Sequence, residues 1–374
     1  MRFPEFEGDW EVRKLGEIVK INQGLQIAIS ERSTENQSGS YFYITNEFLK
    51  ADSGKKYYIL NPPKSVICTE KDILMTRTGN TGQVVTNVSG VFHNNFFKVA
   101  YPEYIDKVFL YNFLKLNKIQ NQIIRYAGTS TIPDLNHSDF YRIIISFPSN
   151  KEQQKISSLL SLIDERIQTQ SKIINDLKTL KTTLSKKIFS QELRFKDDNG
   201  NEFLEWEEVL LGDALDYEQP TNYLVSSTEY DDSFETPVVT AGKTFILGYT
   251  DEKNGVFEKE KLPVIIFDDF TTASQFVDFP FKTKSSAMKI LKAKNETNIR
   301  FIFEALQMIN YEVGGHGRHW ISVFSNLNIS VPSLPEQAKI ANFLSSIDSK
   351  IDIETGLLQK LEEQKKFLLQ QMFL

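Results

Sequence analysis

The sequence predicts a mixed α/β fold: two α/β regions separated by two long helices, arranged as an internal two-fold repeat. Three observations predict it. First, residues 148–190 and 332–374 echo one another at a constant offset, without a gap. Pro148/Pro332, Glu152/Glu336, Gln153/Gln337, Lys155/Lys339, Ile156/Ile340, Asp164/Asp348, Lys181/Lys365 and Phe189/Phe373 all match. A repeat of this kind governs the architecture and is read before anything else. Second, Trp10, Leu15 and Gly16 near the start are answered by Trp206, Leu211 and Gly212. Third, the stretches between these shared ends show little alignable similarity, yet both finish as strand, proline, long helix. One scaffold used twice with different middles follows, divided as 1–147, 148–192, 193–331 and 332–374.

The elements are justified in chain order. Residues 84–101 (VVTNVSGVFHNNFFKVAY) are β-branched and aromatic around Ser89-Gly90, which reads as strand–turn–strand. Residues 108–128 place Leu110, Phe113, Leu114, Ile119, Ile123 and Ile124 on one helical face and stop at Gly128. RIIISFP (142–148) reads as a buried strand leading into the first long helix.

From Ile156, apolar residues recur at Leu160, Ile163, Ile167, Ile174, Leu177, Leu184 and Ile188. Spacings of four and three mark a coiled-coil seam. It is interrupted at Gln170 and Lys181, and the second helix is interrupted at the equivalent Glu354 and Lys365. Polar seam residues cost stability but define register and partner. Two helices in identical phase are expected to pair within one chain. In the second region PVIIFDDF (263–270) reads as a strand, NIRFIFEALQMINY (298–311) as a helix and NLNISVP (326–332) as a strand.

The 374 residues, 40% hydrophobic and 25% charged, are those of an ordinary soluble protein with two or three cores. No apolar run approaches 18 residues, so no membrane span is expected. MRFPEFEGDW lacks the apolar segment of a signal peptide. A single cysteine, Cys68, excludes a disulfide framework within one chain and points to a reducing cytoplasm. Net charge is −6, concentrated in residues 193–331 with 13 Lys+Arg against 23 Asp+Glu. Inside that block runs a basic series: Lys282, Lys284, Lys289, Lys292, Lys294 and Arg300. Nucleic-acid affinity follows the local face rather than the total. The balance nevertheless predicts weak unaided DNA binding.

The search for catalysis returns negatives. Asn61-Pro62-Pro63-Lys64 resembles an amine-binding loop of DNA methyltransferases, but Lys64 stands where an aromatic would stack on a flipped base. It reads as a turn. No phosphate-cradling glycine loop and no spaced nuclease carboxylates occur. His316 and His319, without nearby carboxylates, do not make a metal site, and His93 and His137 read as structural. No catalytic residue, metal or cofactor is assigned to this chain.

Loops suited to reading bases are better supported. Arg pairs with guanine, Asn with adenine, and Thr touches the thymine methyl. On this ground the candidates are Arg77, Thr78 and Asn80, then Asn94 and Asn95, then Thr129, Ser130 and Thr131. In the second half they are His316, Arg318 and His319. Polar glycine loops are also ordinary turns, so the residue types alone do not decide.

The ordered tandem of Trp10-to-Gly16, variable stretch, and Pro148-to-Ile156, repeated as Trp206-to-Gly212 and Pro332-to-Ile340, resembles the specificity subunit of type I restriction–modification systems. The resemblance covers the whole chain. It implies two target-recognition domains, each reading one half of a bipartite duplex DNA sequence, and two helices packed antiparallel as a spacer. It implies two methyltransferase and two restriction (motor) subunits as partners, with S-adenosylmethionine, ATP and Mg²⁺ bound by them. The shared Glu152, Gln153 and Lys155, with Glu336, Gln337 and Lys339, are candidate partner contacts because two copies of one partner suit a repeated surface. Helix-start capping is the competing account. The other functional class is a coiled-coil adaptor presenting two domains to ligands other than DNA.

Overall fold

The computed structural model describes residues 2–50, 54–128, 131–242, 244–294, 297–312 and 317–373. They divide into two compact units, Met1–Ser171 with Gly356–Leu374, and Lys172–Thr355.

The first unit opens with β1 (Glu11–Lys14), α1 (Leu15–Ile18) and β2 (Lys20–Gln23). Seven strands follow: β3 (Ser40–Ile44), β4 (Tyr58–Leu60), β5 (Ile67–Cys68), β6 (Ile73–Thr76), β7 (Val84–Thr86), β8 (Gly90–Phe92) and β9 (Phe96–Ala100). Then come α2 (Lys107–Lys115), α3 (Asn117–Ala127), α4 (His137–Tyr141), β10 (Ile144–Phe147) and the long α5 (Asn150–Phe189). One antiparallel sheet has the order β2-β9-β6-β7, a second, mixed sheet has the order β4-β3-β8-β5, and β1 pairs with β10. The side chain of Asp106 caps α2 by accepting from Phe109 N at 2.9 Å.

The second unit contains β11 (Glu207–Leu210), α6 (Leu211–Ala214), β12 (Leu215–Glu218), β13 (Thr236–Val239), β14 (Ile246–Thr250), β15 (Val264–Asp268), β16 (Ser274–Val277), β17 (Lys282–Thr283) and β18 (Met288–Ala293). It ends with α7 (Ile299–Met308), α8 (His319–Ser322), β19 (Asn328–Val331) and α9 (Leu334–Met372). Its sheets are β12-β18-β15-β16 and β14-β13-β17, and β11 pairs with β19. Apart from β5, which has no counterpart among the described residues, the order matches the first unit: β12, β18, β15 and β16 stand for β2, β9, β6 and β7. The parallel pair β13–β17 stands for the parallel pair β3–β8. The divergent middles are therefore one topology.

The Leu-Gly pairs are explained by packing. Leu15 and Leu211 are fully buried. Leu15 N donates to Ile143 O at 2.8 Å and Leu211 N to Leu327 O at 2.9 Å. A Cβ on Gly16 would lie 2.8 Å from Tyr141 Cβ, and one on Gly212 2.9 Å from Ser325 O, so no side chain fits at either place.

Seam residues form part of the core within each unit. In the first, Ile156 and Leu160 share a core with Leu368, Leu369, Met372 and Phe373. Asp164 pairs with Lys365. In the second, Ile188 shares a core with Ile340 and Leu344, and Lys181 pairs with Asp348 at 2.8 Å. Numbers rise on one helix as they fall on the other, so the pair is antiparallel within each unit.

Four expectations change. The helices are not separate domains; each is divided between the units because its seam completes their cores. The stretch 84–101 forms three strands shared between two sheets, with a second turn at His93–Asn95. The single helix expected over 108–128 breaks at Leu116, whose ψ is 135°. β10 is half-exposed, because it pairs only with β1.

Candidate nucleic-acid interface

In the first unit the loops around the ends of β6 and β9 are tied into one edge. Arg77 N donates to Asn95 O at 2.7 Å, and Leu135 N to Arg77 O at 2.8 Å. Thr81 Oγ1 donates to Pro133 O at 2.6 Å, Asn46 Nδ2 to Thr78 O at 3.2 Å, and Asn94 Nδ2 to Gln26 Oε1 at 3.3 Å. Arg77, Thr78, Asn80, Asn94 and Asn95 are thus brought together, with exposed Thr131 three residues from Asp134. Thr129 and Ser130 lie outside the described residues. Gly79 has φ +88, and a Cβ there would lie 2.2 Å from Asn46 Nδ2, so the turn requires glycine. The side-chain oxygens of Asn46 and Asn94 are buried without a hydrogen-bond partner, leaving acceptor capacity unspent at this edge.

Arg77 does not present a free fork. Its Nε and Nη2 lie 3.1 and 2.6 Å from the two carboxylate oxygens of Asp134, a bidentate pair. The guanidinium joins the β6–β7 loop to the segment before α4. Its reading as a free guanine fork is corrected to this extent: Asp134 takes the Nε–Nη2 edge, and only the Nη1 side keeps donors to spare. His93 also has a structural place: its Nδ1 accepts from Asn95 N at 3.1 Å. Burial, then the charge of Arg32, lowers its pKa below the ordinary histidine value, which keeps the ring neutral.

The second unit has the same edge with different contents. Asp269 N donates to Ala287 O at 3.0 Å, and His319 N to Asp269 O at 2.9 Å. These reproduce the two bonds of Arg77, so Asp269 holds the place of Arg77, and Arg318 that of Asp134. Sequence reasoning set 314–320 opposite 76–82; topology instead sets the β15–β16 turn there. Nothing in residue type flagged Asp269–Ala273, because DFTTA lacks the glycines and asparagines used as the signal. His319 is corrected as a base contact: it is buried, with Nδ1 3.3 Å from Tyr311 Oη. His316 lies outside the described residues. Arg318 is exposed.

The basic series in this unit is mostly spent internally; exposed Lys284, which lies over the Tyr230 ring, is the exception. Lys282 pairs with Glu252 at 2.6 Å, Lys289 with Asp269 at 3.2 Å, Lys294 with Asp216 at 3.4 Å, Lys292 with Glu218, and Arg300 with Asp348. With five of the six paired to carboxylates, the series does not form a continuous phosphate-binding face.

The candidate partner contacts at the helix starts point inward instead. Glu152, Gln153, Glu336 and Gln337 are at most 2% exposed. Arg2 holds Glu152 through two 2.8 Å bonds, and Arg194 holds Glu336 at 3.1 Å. Gln153 Oε1 accepts from Asp106 N at 2.9 Å and its Nε2 donates to Pro148 O at 2.9 Å; Gln337 does the same with Asn298 N and Pro332 O, both at 2.8 Å. Their repetition reflects a repeated internal clamp, so these four are corrected as surface contacts. Lys155 and Lys339 lie nearer the surface, paired with Glu5 and Asp198.

Among the described residues no group of three or more His, Cys, Asp or Glu is placed to hold a metal, and no helix is long and apolar enough to cross a membrane. Burial raises the pKa of the Cys68 thiol to about 11, which leaves it unreactive as a nucleophile near neutral pH.

Fold and edge together define the class: an α/β unit built twice, with one variable loop edge per copy and long helices completing both cores. The family described as "Type I restriction modification DNA specificity domain" matches residues 7–179 and 204–363. The chain belongs to that family. It is 44% identical over 162 residues to the EcoR124I/EcoR124II specificity subunit of Escherichia coli, covering 42% of this chain and 40% of that protein. It is 28% identical to the MjaVIII specificity subunit of Methanocaldococcus jannaschii, covering 98% of this chain and 92% of that one. The crystal structure of the type I S subunit from M. genitalium superposes with a TM-score of 0.68 at 18% identity over 100% of this chain and 99% of that one. At that identity the superposition speaks for the fold.

Proposed function

We propose that the chain is the non-catalytic, sequence-reading subunit of a cytoplasmic type I restriction–modification complex. Each unit reads one half of a bipartite duplex DNA target, and the chain scaffolds two methyltransferase and two restriction subunits. S-adenosylmethionine, ATP and Mg²⁺ belong to those partners. The observation that carries the reading is the pair of edges: the same backbone hydrogen bonds assemble both, while their side chains differ. Equivalent supports with different exposed groups are what two different half-sites need.

The acidic balance of residues 193–331 favours the adaptor reading, in which the edges bind something other than DNA. Selection from a random duplex library by the assembled complex separates the two. Enrichment of two short defined blocks flanking an undefined spacer supports DNA reading. A complex that assembles but enriches no motif would leave the adaptor.

A further inference from the structure

The β15–β16 turn of the second unit is built in an unusual way. Asp268 Oδ1 accepts from Phe270 N at 2.9 Å and Thr271 N at 2.8 Å, and Thr272 N donates to Asp268 O at 3.0 Å. Thr272 is held at φ +61. A β-branched residue in the left-handed region is strained, and such strain persists only where surrounding contacts over-determine it. Those contacts are present one residue before the tip. Buried Asp269 accepts from Trp320 N at 2.8 Å through its side chain and from His319 N at 2.9 Å through its carbonyl, and it pairs with buried Lys289 at 3.2 Å. The knot leaves Phe270 pointing outward at 41% exposure, with Thr271 exposed beside it. It also fixes Arg318, the neighbour of His319, beside the same turn. This large ring, held on a rigid turn at the surface, belongs to neither apolar core of the unit.

We propose that the second unit reads its half of the DNA through this turn: the Phe270 ring and the Thr271 and Thr272 side chains lie against base edges, with Arg318 beside them. The inference rests on the DNA-reading function proposed above. Apolar ring and methyl groups recognise the C5-methyl of thymine in the major groove, and an unclamped guanidinium recognises guanine. The two halves therefore use the same two positions differently. In the first unit the Arg77–Asp134 pair is a strut. In the second the acid at position 269 turns inward to Lys289, and the arginine at position 318 is released for base contact.

The test compares wild type with Phe270→Ala, Thr272→Gly and Arg318→Ala as assembled complexes, each selecting from a duplex library randomised over both half-sites. Thr272→Gly removes the side chain while easing the backbone, so its effect does not reflect misfolding. In the expected result Phe270→Ala and Thr272→Gly lower discrimination about tenfold per lost contact at an A·T pair of one half-site. Arg318→Ala does the same at a neighbouring G·C pair, and the other half-site stays within about twofold. Unchanged preference in all three variants, or equal loss in both half-sites, overturns the proposal while leaving DNA reading intact. A wild-type complex with no bipartite preference overturns both.

Discussion

Lys181 Nζ lies 2.8 Å from Asp348 Oδ2, and the pair recurs with its members exchanged between the repeats, since Lys365 holds Asp164. Each repeat supplies one acid and one base. The lysines that interrupt the apolar seam are therefore partnered cross-helix links. Their settings differ. In the second unit Lys181 also lies 3.0 Å from buried Glu304, and Arg300 pairs with Asp348. In the first unit Val108 and Asn112 stand in those two places, with Asn112 bonded to Val108 O at 2.9 Å.

That asymmetry predicts unequal costs. Lys181→Met strips buried Glu304 of its main counter-charge and should destabilise the second unit by about 1–3 kcal/mol. Lys365→Met strips only the partly exposed Asp164 and should cost about 0–1 kcal/mol. Chemical denaturation followed by hydrogen exchange in each unit measures both. Equal costs would contradict the role assigned to Glu304.

A second prediction concerns the strut between Arg77 and Asp134. If the pair positions the β6–β7 loop, Asp134→Ala and Arg77→Ala should weaken recognition of the same half-site to a similar degree. The double variant should be no worse than either, because the residues act as a unit. Library selection with the assembled complexes reads this. Additive losses, or a gain in discrimination when Asp134 is removed, would show that Arg77 contacts bases directly.

The clamp at the helix starts gives a third. Gln153→Ala orphans Asp106 N and Pro148 O in a buried setting, and Gln337→Ala does the equivalent in the other unit. Each should cost about 1–3 kcal/mol. Lys155→Glu with Lys339→Glu, nearer the surface, should leave thermal stability almost unchanged. Thermal unfolding compares the three. Stability unaffected by either glutamine substitution would mean that the buried bonds do not organise the helix starts.

Acid sensitivity gives a fourth. His93 and His137 both have pKa values lowered chiefly by burial, with Arg32 and Arg77 as the further respective causes. Their folded pKa values lie below the unfolded value near 6.5. The unfolded chain therefore binds more protons in the window just below about 6.5, and stability falls as pH falls through it. His93→Asn offers Asn95 N an acceptor that does not titrate. Its melting temperature should fall less than that of wild type between about pH 7.5 and 5.5. An identical fall would exclude His93 as a contributor.

The repeat, the strand–proline–helix endings and the seam were legible because they rest on local spacing and on identical residues, which backbone geometry translates directly into helix faces and turns. Gly16 and Gly212 were legible as markers, though only packing against Tyr141 and Ser325 explains them. The first base-reading edge was legible in Arg77, Thr78, Asn80, Asn94 and Asn95 because turn chemistry and hydrogen-bonding chemistry favour the same residue types. The second edge, apart from Arg318, was not, since DFTTA carries threonines but none of the glycines, asparagines or arginine that marked the first. Nor could the sequence show that Glu152 and Gln153 are internal clamps, that Asp134 occupies one edge of Arg77, or that all but Lys284 of the basic series from Lys282 to Arg300 is paired with acids. Those are pairings between residues 20 to 150 positions apart, and residue type and spacing carry no information about a partner that only chain folding brings within reach. The sequence by itself determined two copies of one framework and the helix phase that joins them. Which exposed side chains remain available on each copy was decided by tertiary structure, because burial and ion pairing consume donors and charges that composition counts as free.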